Sequence, residues 1–317
     1  MSDKEQAILQ SLYLYLLEGS IAIIVNIPLI VALMATHKMR IKREYRVMVG
    51  ICVADAIFGV AFILCGINRI QILREEQLEV LIPRRMCSER IYVQLITIAF
   101  QLQGALSLAV AMDRFFAVMF PFRYFKCGTT YNLSLGVGPY LMVIVSTMVN
   151  TLLTVRDETP VSSICLTRDA VNPEFYSYIL ILRIICISIS AFIYVVILTK
   201  IKKRLLHMER RRHSPGHSAI GFLKRSTVTF GLTTANAVVF LLIPDVIKLT
   251  GFWELAQKRS ILLYSLSMTN VILNAFILFF RHREIRNNIK RLFQVLQNRK
   301  RGMGNRVWVV TFSRING

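Results

Sequence analysis

Six stretches of the chain carry no charged residue: 19–37, 91–112, 127–155, 184–199, 226–244 and 260–280. A seventh, 47–68, is broken only by Asp55. Crossing the roughly 30 Å hydrocarbon core of a bilayer takes about 20 apolar residues of helix. Most of these stretches reach or approach that length as they stand, and 184–199 does so when extended to about 175–200 with Arg183 inside it. They predict an all-α fold, a seven-transmembrane helix bundle with spans at about 12–36, 47–68, 88–112, 132–154, 175–199, 227–250 and 259–280. Seven spans in 317 residues leave short loops and no room for a soluble domain. Asp3, Lys4 and Glu5 precede a first apolar stretch that has no small-residue cleavage site and is long enough to span. That stretch is therefore expected to act as its own insertion signal, not as a cleaved leader.

Charge decides how such a bundle is threaded. The chain holds 39 Lys and Arg against 18 Asp and Glu, a net +21, in a sequence that is 55% apolar. A basic excess of that size is also a nucleic-acid signature, so its location matters. The connections 37–46, 113–131, 200–226 and 281–317 contain 27 of the 39 basic residues and four of the 18 acids, Glu44, Asp113, Glu209 and Glu284. That is +23 on one side of a membrane and about −2 everywhere else. Lys and Arg in short loops mark the cytoplasmic side, which puts the N-terminus outside and the C-terminus in the cytoplasm of a plasma-membrane, multi-pass protein. Nucleic-acid binding is excluded as a primary function. The run Lys200, Lys202, Lys203, Arg204 and Arg210 to Arg212 reads as a topology signal attracted to anionic membrane lipid, and equally as a docking surface for an acidic cytosolic partner. After the last span, 281–297 is expected to be an interfacial amphipathic helix, with Ile285, Ile289, Leu292, Phe293 and Leu296 on one face. Residues 1–297 form the membrane domain in this reading, and 298–317 a cytoplasmic tail.

Ionisable groups within a span are costly unless they face the bundle interior and find partners. Asp55, Arg183, Asp245 and Lys248 fall in that class, and Asn26, Asn150, Asn236, Asn270 and Asn274 are the uncharged amides. Asn26, Asp55 and Asn274 are candidates for a polar cluster, or for a sodium or water site; the alternative is plain interhelical adhesion. Of the six cysteines, only Cys87 and Cys165 fall in outer regions, which predicts a disulfide pinning the second outer loop across the mouth of the bundle, against the alternative of two free thiols. The five histidines are scattered without metal-ligand spacing, and no metal, cofactor or enzymatic activity is expected.

Several motifs converge. Asn26 lies mid-way along the first span. Val53-Ala54-Asp55 lies in the second, and Asp113-Arg114-Phe115 ends the third with Pro121 downstream. Pro244 interrupts the sixth, and Asn274-Ala275-Phe276-Ile277-Leu278 lies in the seventh, before Phe280-Arg281. In these the chain resembles the rhodopsin-like seven-transmembrane G-protein-coupled receptors over roughly 12–297, and is most similar to their divergent nematode serpentine chemoreceptors. It departs from the family's pattern where Phe115 replaces Tyr, where Ala275 and Leu278 replace the Pro and Tyr of the seventh-helix motif, and where Leu242 stands in the usual Trp position. The resemblance implies a chemosensory receptor that binds an extracellular small-molecule ligand and activates a heterotrimeric G protein. Asp113 and Arg114 would then be the inner latch and, with Phe115, Pro244 and Asn274, the activation switch.

For the ligand pocket the expected residues are Phe100, Gln101, Arg183, Asp245, Lys248 and Tyr264, all in or near the outer halves of their spans. Asp245 can pair with Lys248 one turn away, or with Arg183. An unpaired Arg183 facing the cavity favours an anionic ligand. The rival class is a ligand-gated channel or transporter. Transporters commonly carry internal repeats, and none is found between the two halves of this chain.

Overall fold

The computed structural model describes residues 3–35, 39, 43–77, 80–126, 128–209, 217–250 and 260–302. Arg210, Arg211 and Arg212, and the tail from Arg306 onward, lie outside the described residues. Seven long helices run in chain order: α1 (Asp3–Ala35), α2 (Arg43–Arg74), α3 (Ile91–Met119), α4 (Thr129–Thr154), α5 (Pro173–Glu209), α6 and α7 (Ser260–Arg281). An eighth, α8 (Arg283–Gly302), follows. α6 is composite: an α-helix His217–Ala237 passes through a π-helical turn Val238–Leu242 into Ile243–Leu249. Among the described residues seven helices are long and apolar enough to cross a membrane.

The helices overrun the expected spans at several ends. α3 halts at Met119 because Pro121 cannot donate its backbone nitrogen and disfavours helix before it. It starts at Ile91, later than expected, because Arg84–Ser88 forms a separate short helix. α5 continues to Glu209 through Lys200, Lys202 and Lys203, good helix formers with no Gly or Pro among them. α8 runs on to Gly302, beyond residue 297. In α8, Ile285 and Ile289 are buried against the bundle and Leu292 half-buried, while Phe293 is exposed.

Two apolar layers hold the bundle. One, at the end bearing the disulfide, includes Tyr15, Phe58, Phe62, Phe100 and Met268. The other, at the Arg114 end, includes Met48, Val118, Ile197, Phe230 and Leu278. Helix contact within lipid depends on close backbone approach. At Gly19 of α1 an added Cβ would sit 2.8 Å from the Gly59 carbonyl of α2, so only hydrogen fits at that crossing. α4 is the least embedded span and presents Leu141, Val145, Met148 and Leu152 outward.

The disulfide end is capped. Cys87 and Cys165 are joined, with Cα atoms 5.3 Å apart. Beside the bond, β1 (Leu81–Pro83) pairs antiparallel with β2 (Pro160–Ser162), Ile82 opposite Val161. Arg69, buried at the end of α2, donates to the carbonyls of Ile164 and Cys165 at 3.0 Å each. Arg84 binds Asp157 at 2.6 Å and the Asp169 carbonyl at 3.0 Å. Cys165 has a positive φ of 49°, a conformation side chains rarely adopt, and these restraints hold it there.

Candidate functional site

Beneath the cap, five of the six expected pocket residues converge. Arg183 of α5 forms a bidentate ion pair with both carboxylate oxygens of Asp245 in α6, and both side chains are essentially fully buried. The helices can approach this closely because α3 carries Gly104: a Cβ there would lie 3.1 Å from Arg183 Cα. The Arg183 guanidinium lies over the Phe100 ring at 4.6 Å, and its Nη1 donates to Gln103 Oε1 at 3.3 Å. Lys248, one turn beyond Asp245, puts its Nζ 3.5 Å from Asp245 Oδ1, 4.7 Å from the centre of the Tyr264 ring and 5.9 Å from that of Phe100. Phe100 and Tyr264 stack at 5.7 Å.

Of the two alternatives for Asp245, the fork-to-fork pair is with Arg183, and Lys248 approaches the same carboxylate. Arg183 does not face a cavity unpaired, because a planar guanidinium and a carboxylate satisfy each other in a fork-to-fork geometry. Gln101 is not with the others. Its amide nitrogen donates to the Thr97 carbonyl at 3.3 Å and to Thr147 Oγ1 of α4 at 3.4 Å. Gln103 takes its place in the cluster.

Gln103 also reaches inward. It lines a cavity of about 50 Å³ together with Asp55, Ser107, Thr234, Asn270 and Asn274, room for roughly three waters. One oxygen of Asp55, Oδ2, is buried there without a hydrogen-bond partner. Asn236 of α6 binds α7 across the same space: its amide nitrogen donates to Asn270 Oδ1 at 2.9 Å and to Asn274 Oδ1 at 3.0 Å. The structure thus brings Asp55 and Asn274 to one cavity and leaves Asn26 out of its lining. Asn26 donates instead to the Ala22 carbonyl of its own helix at 2.9 Å.

At the opposite end Arg114 is buried. Its Nη2 meets Asp113 Oδ2 at 2.6 Å, and Tyr124 donates to the same oxygen at 3.3 Å. Arg114 Nη1 lies 3.7 Å from Glu44 Oε2 of α2, and the guanidinium sits over the Phe230 ring of α6 at 5.5 Å. The next residue, Tyr45, donates to Glu284 of α8 at 2.8 Å. Adjacent residues of α2 therefore join α3 to α8. Phe115 turns away from these charges and packs on the rings of Phe116 and Phe120. Pro244 lies two residues beyond the end of the π-helical turn of α6, whose wider ring accommodates the bond that proline cannot make.

Gln103, Glu44 and Arg69 were not marked by the sequence, and neither was Glu18, whose carboxylate accepts from Ser265 of α7. Glu18 had a signal, since it is an acid inside the expected 12–36 span. Arg69 and Glu44 stand just beyond span edges, where charge is ordinary.

The model of the serpentine type 7TM GPCR chemoreceptor family Srsx matches residues 20–293. A search of curated proteins found no match. The matched region runs from within the first span to α8. The chain belongs to the Srsx serpentine chemoreceptors, a family of seven-transmembrane G-protein-coupled receptors.

Proposed function

We propose that this receptor sits in the plasma membrane with the disulfide end outside, binds an extracellular small molecule among Phe100, Arg183, Asp245, Lys248 and Tyr264, and activates a heterotrimeric G protein at the Arg114 end. One observation carries the reading. A buried ionic and aromatic cluster lies under a fastened cap at one end and a buried arginine lies at the other, with Gln103 and the Asp55 cavity between them. Gln103 accepts from Arg183 and borders the cavity, so a ligand that shifts the α5–α6 ion pair also changes what the cavity wall presents. Asp55 and Asn274 would hold water or a sodium ion there. α6 is the element able to respond, because its π-helical turn and Pro244 leave its hydrogen-bond ladder locally slack. Its ring of Phe230 lies against the Arg114 guanidinium. An outward movement of the α6 inner half then withdraws that ring and uncovers Arg114.

The test is nucleotide exchange on a G protein in reconstituted membranes, with and without chemical stimulus. Arg114→Ala is expected to reach the cell surface and to lose exchange. Exchange retained by that variant, or a stimulus-gated conductance in place of exchange, overturns the reading in favour of a switch elsewhere or of a channel.

A further inference from the structure

Within the spans on the disulfide side, the described residues bury three cations, Arg69, Arg183 and Lys248, against two carboxylates, Glu18 and Asp245. Arg69 is committed to backbone carbonyls of the cap. Arg183 occupies both oxygens of Asp245. Lys248 has to share that carboxylate. Its side chain is 8% exposed, yet its nearest anionic contact is a 3.5 Å approach to an oxygen already bound by Arg183. An ammonium has three N–H donors, and among the described residues its other neighbours include the faces of Tyr264 and Phe100. Ring faces favour a cation but only partly offset its desolvation.

We infer that Lys248 is the anchor for an anionic ligand: a small carboxylate-bearing molecule whose acid group meets the Lys248 ammonium and whose apolar body lies against the stacked Phe100 and Tyr264 rings. One added negative charge balances two cations sharing one carboxylate, and it does so without disturbing the Arg183–Asp245 pair. The rings exclude a strongly hydrated partner and favour an amphipathic acid over an inorganic anion. Neutral molecules of the same shape lack the group that completes the charge balance, and amines add to the repulsion.

This inference rests on the chemoreceptor reading, so its test uses binding and not signalling. The purified full-length receptor is heated with straight-chain monocarboxylates of four to ten carbons, and with the alcohols and amines of matching length. A bound ligand raises the unfolding midpoint by mass action. The acids are expected to stabilise the receptor at concentrations where the alcohols and amines do not. Lys248→Gln should weaken the acid effect by roughly tenfold to a hundredfold, the loss of one charge-assisted bond, and Lys248→Arg should retain most of it. The midpoint of each variant without additive reports whether it is folded. If no acid outperforms its alcohol, or if Lys248→Gln responds as the parent does, the anion site is overturned. Arg114-dependent nucleotide exchange in the same preparations stands or falls separately, and its loss bears on the receptor reading alone.

Discussion

Asp245 is shared by two cations, and at the scale of single residues the consequence is sharpest when one member of the trio is removed. Asp245→Asn leaves Arg183 buried beside Lys248 with no carboxylate, a change expected to destabilise the fold by about 3–5 kcal/mol and to lower the thermal midpoint. Adding Arg183→Leu should recover part of that loss, because residues in contact are not additive. A double variant no more stable than the single would show that the pair does not act as a unit. In the cap, Asp157 accepts from the Thr159 hydroxyl and backbone N–H and from Arg84, and these bonds, the Thr159 hydroxyl foremost, hold its carboxyl below the ordinary 3.8. A lowered folded-state value means stability that is present above that pH and lost as pH falls through the lower one. Hydrogen exchange in 157–170 should therefore be slower in the parent than in Asp157→Asn at neutral pH. The two should converge as the solution is acidified well below pH 3.8. At this scale the costly charges were legible: Arg183, Asp245 and Lys248 stand out in any span because only a partner makes them tolerable. Which partner each would choose was not legible, since both pairings of Asp245 are one step away in sequence or space.

Among the helices, the existence of each span was written in the charge-free stretches, and several ends in prolines and lysines. Rotation was not. Successive residues of a helix are about 100° apart, so Gln101 and Gln103 point to nearly opposite sides, one toward Thr147 of α4 and one toward Arg183 of α5. A helix apolar all round has no polar stripe to mark which face turns inward, and α3 is close to that condition. The π-helical turn in α6 was equally hidden, as Val238–Leu242 carries nothing but ordinary apolar side chains. Gly104 is the element-scale spacer between α3 and α5. Gly104→Leu would drive a side chain into Arg183 Cα and Cγ, 3.1 and 3.3 Å from the first added carbon. Overpacking of this kind is expected to cost about 1–3 kcal/mol, visible as a lower midpoint and reduced surface display. Gly104→Ala should lose less. Equal stability of Gly104→Leu and the parent would mean that α5 can stand further from α3 than the structure has it.

For the molecule as a whole, the loops at the Arg114 end hold most of the basic charge, and the disulfide lies at the other. Both favour one threading, since Lys and Arg remain in the cytoplasm and disulfides persist in oxidising compartments. An N-terminal epitope is expected to bind antibody on intact cells, and a C-terminal one only after permeabilisation; the reverse pattern would invert the proposed roles of the two ends. The fasteners of the cap are Cys87–Cys165, Arg69, the Arg84–Asp157 bridge and the paired strands. None of them is Phe100, Gln103, Arg183, Asp245, Lys248 or Tyr264. Under the proposed function, closure and chemical selectivity thus rest on separate residues, so the side chains beneath the cap can be exchanged without loosening its fasteners.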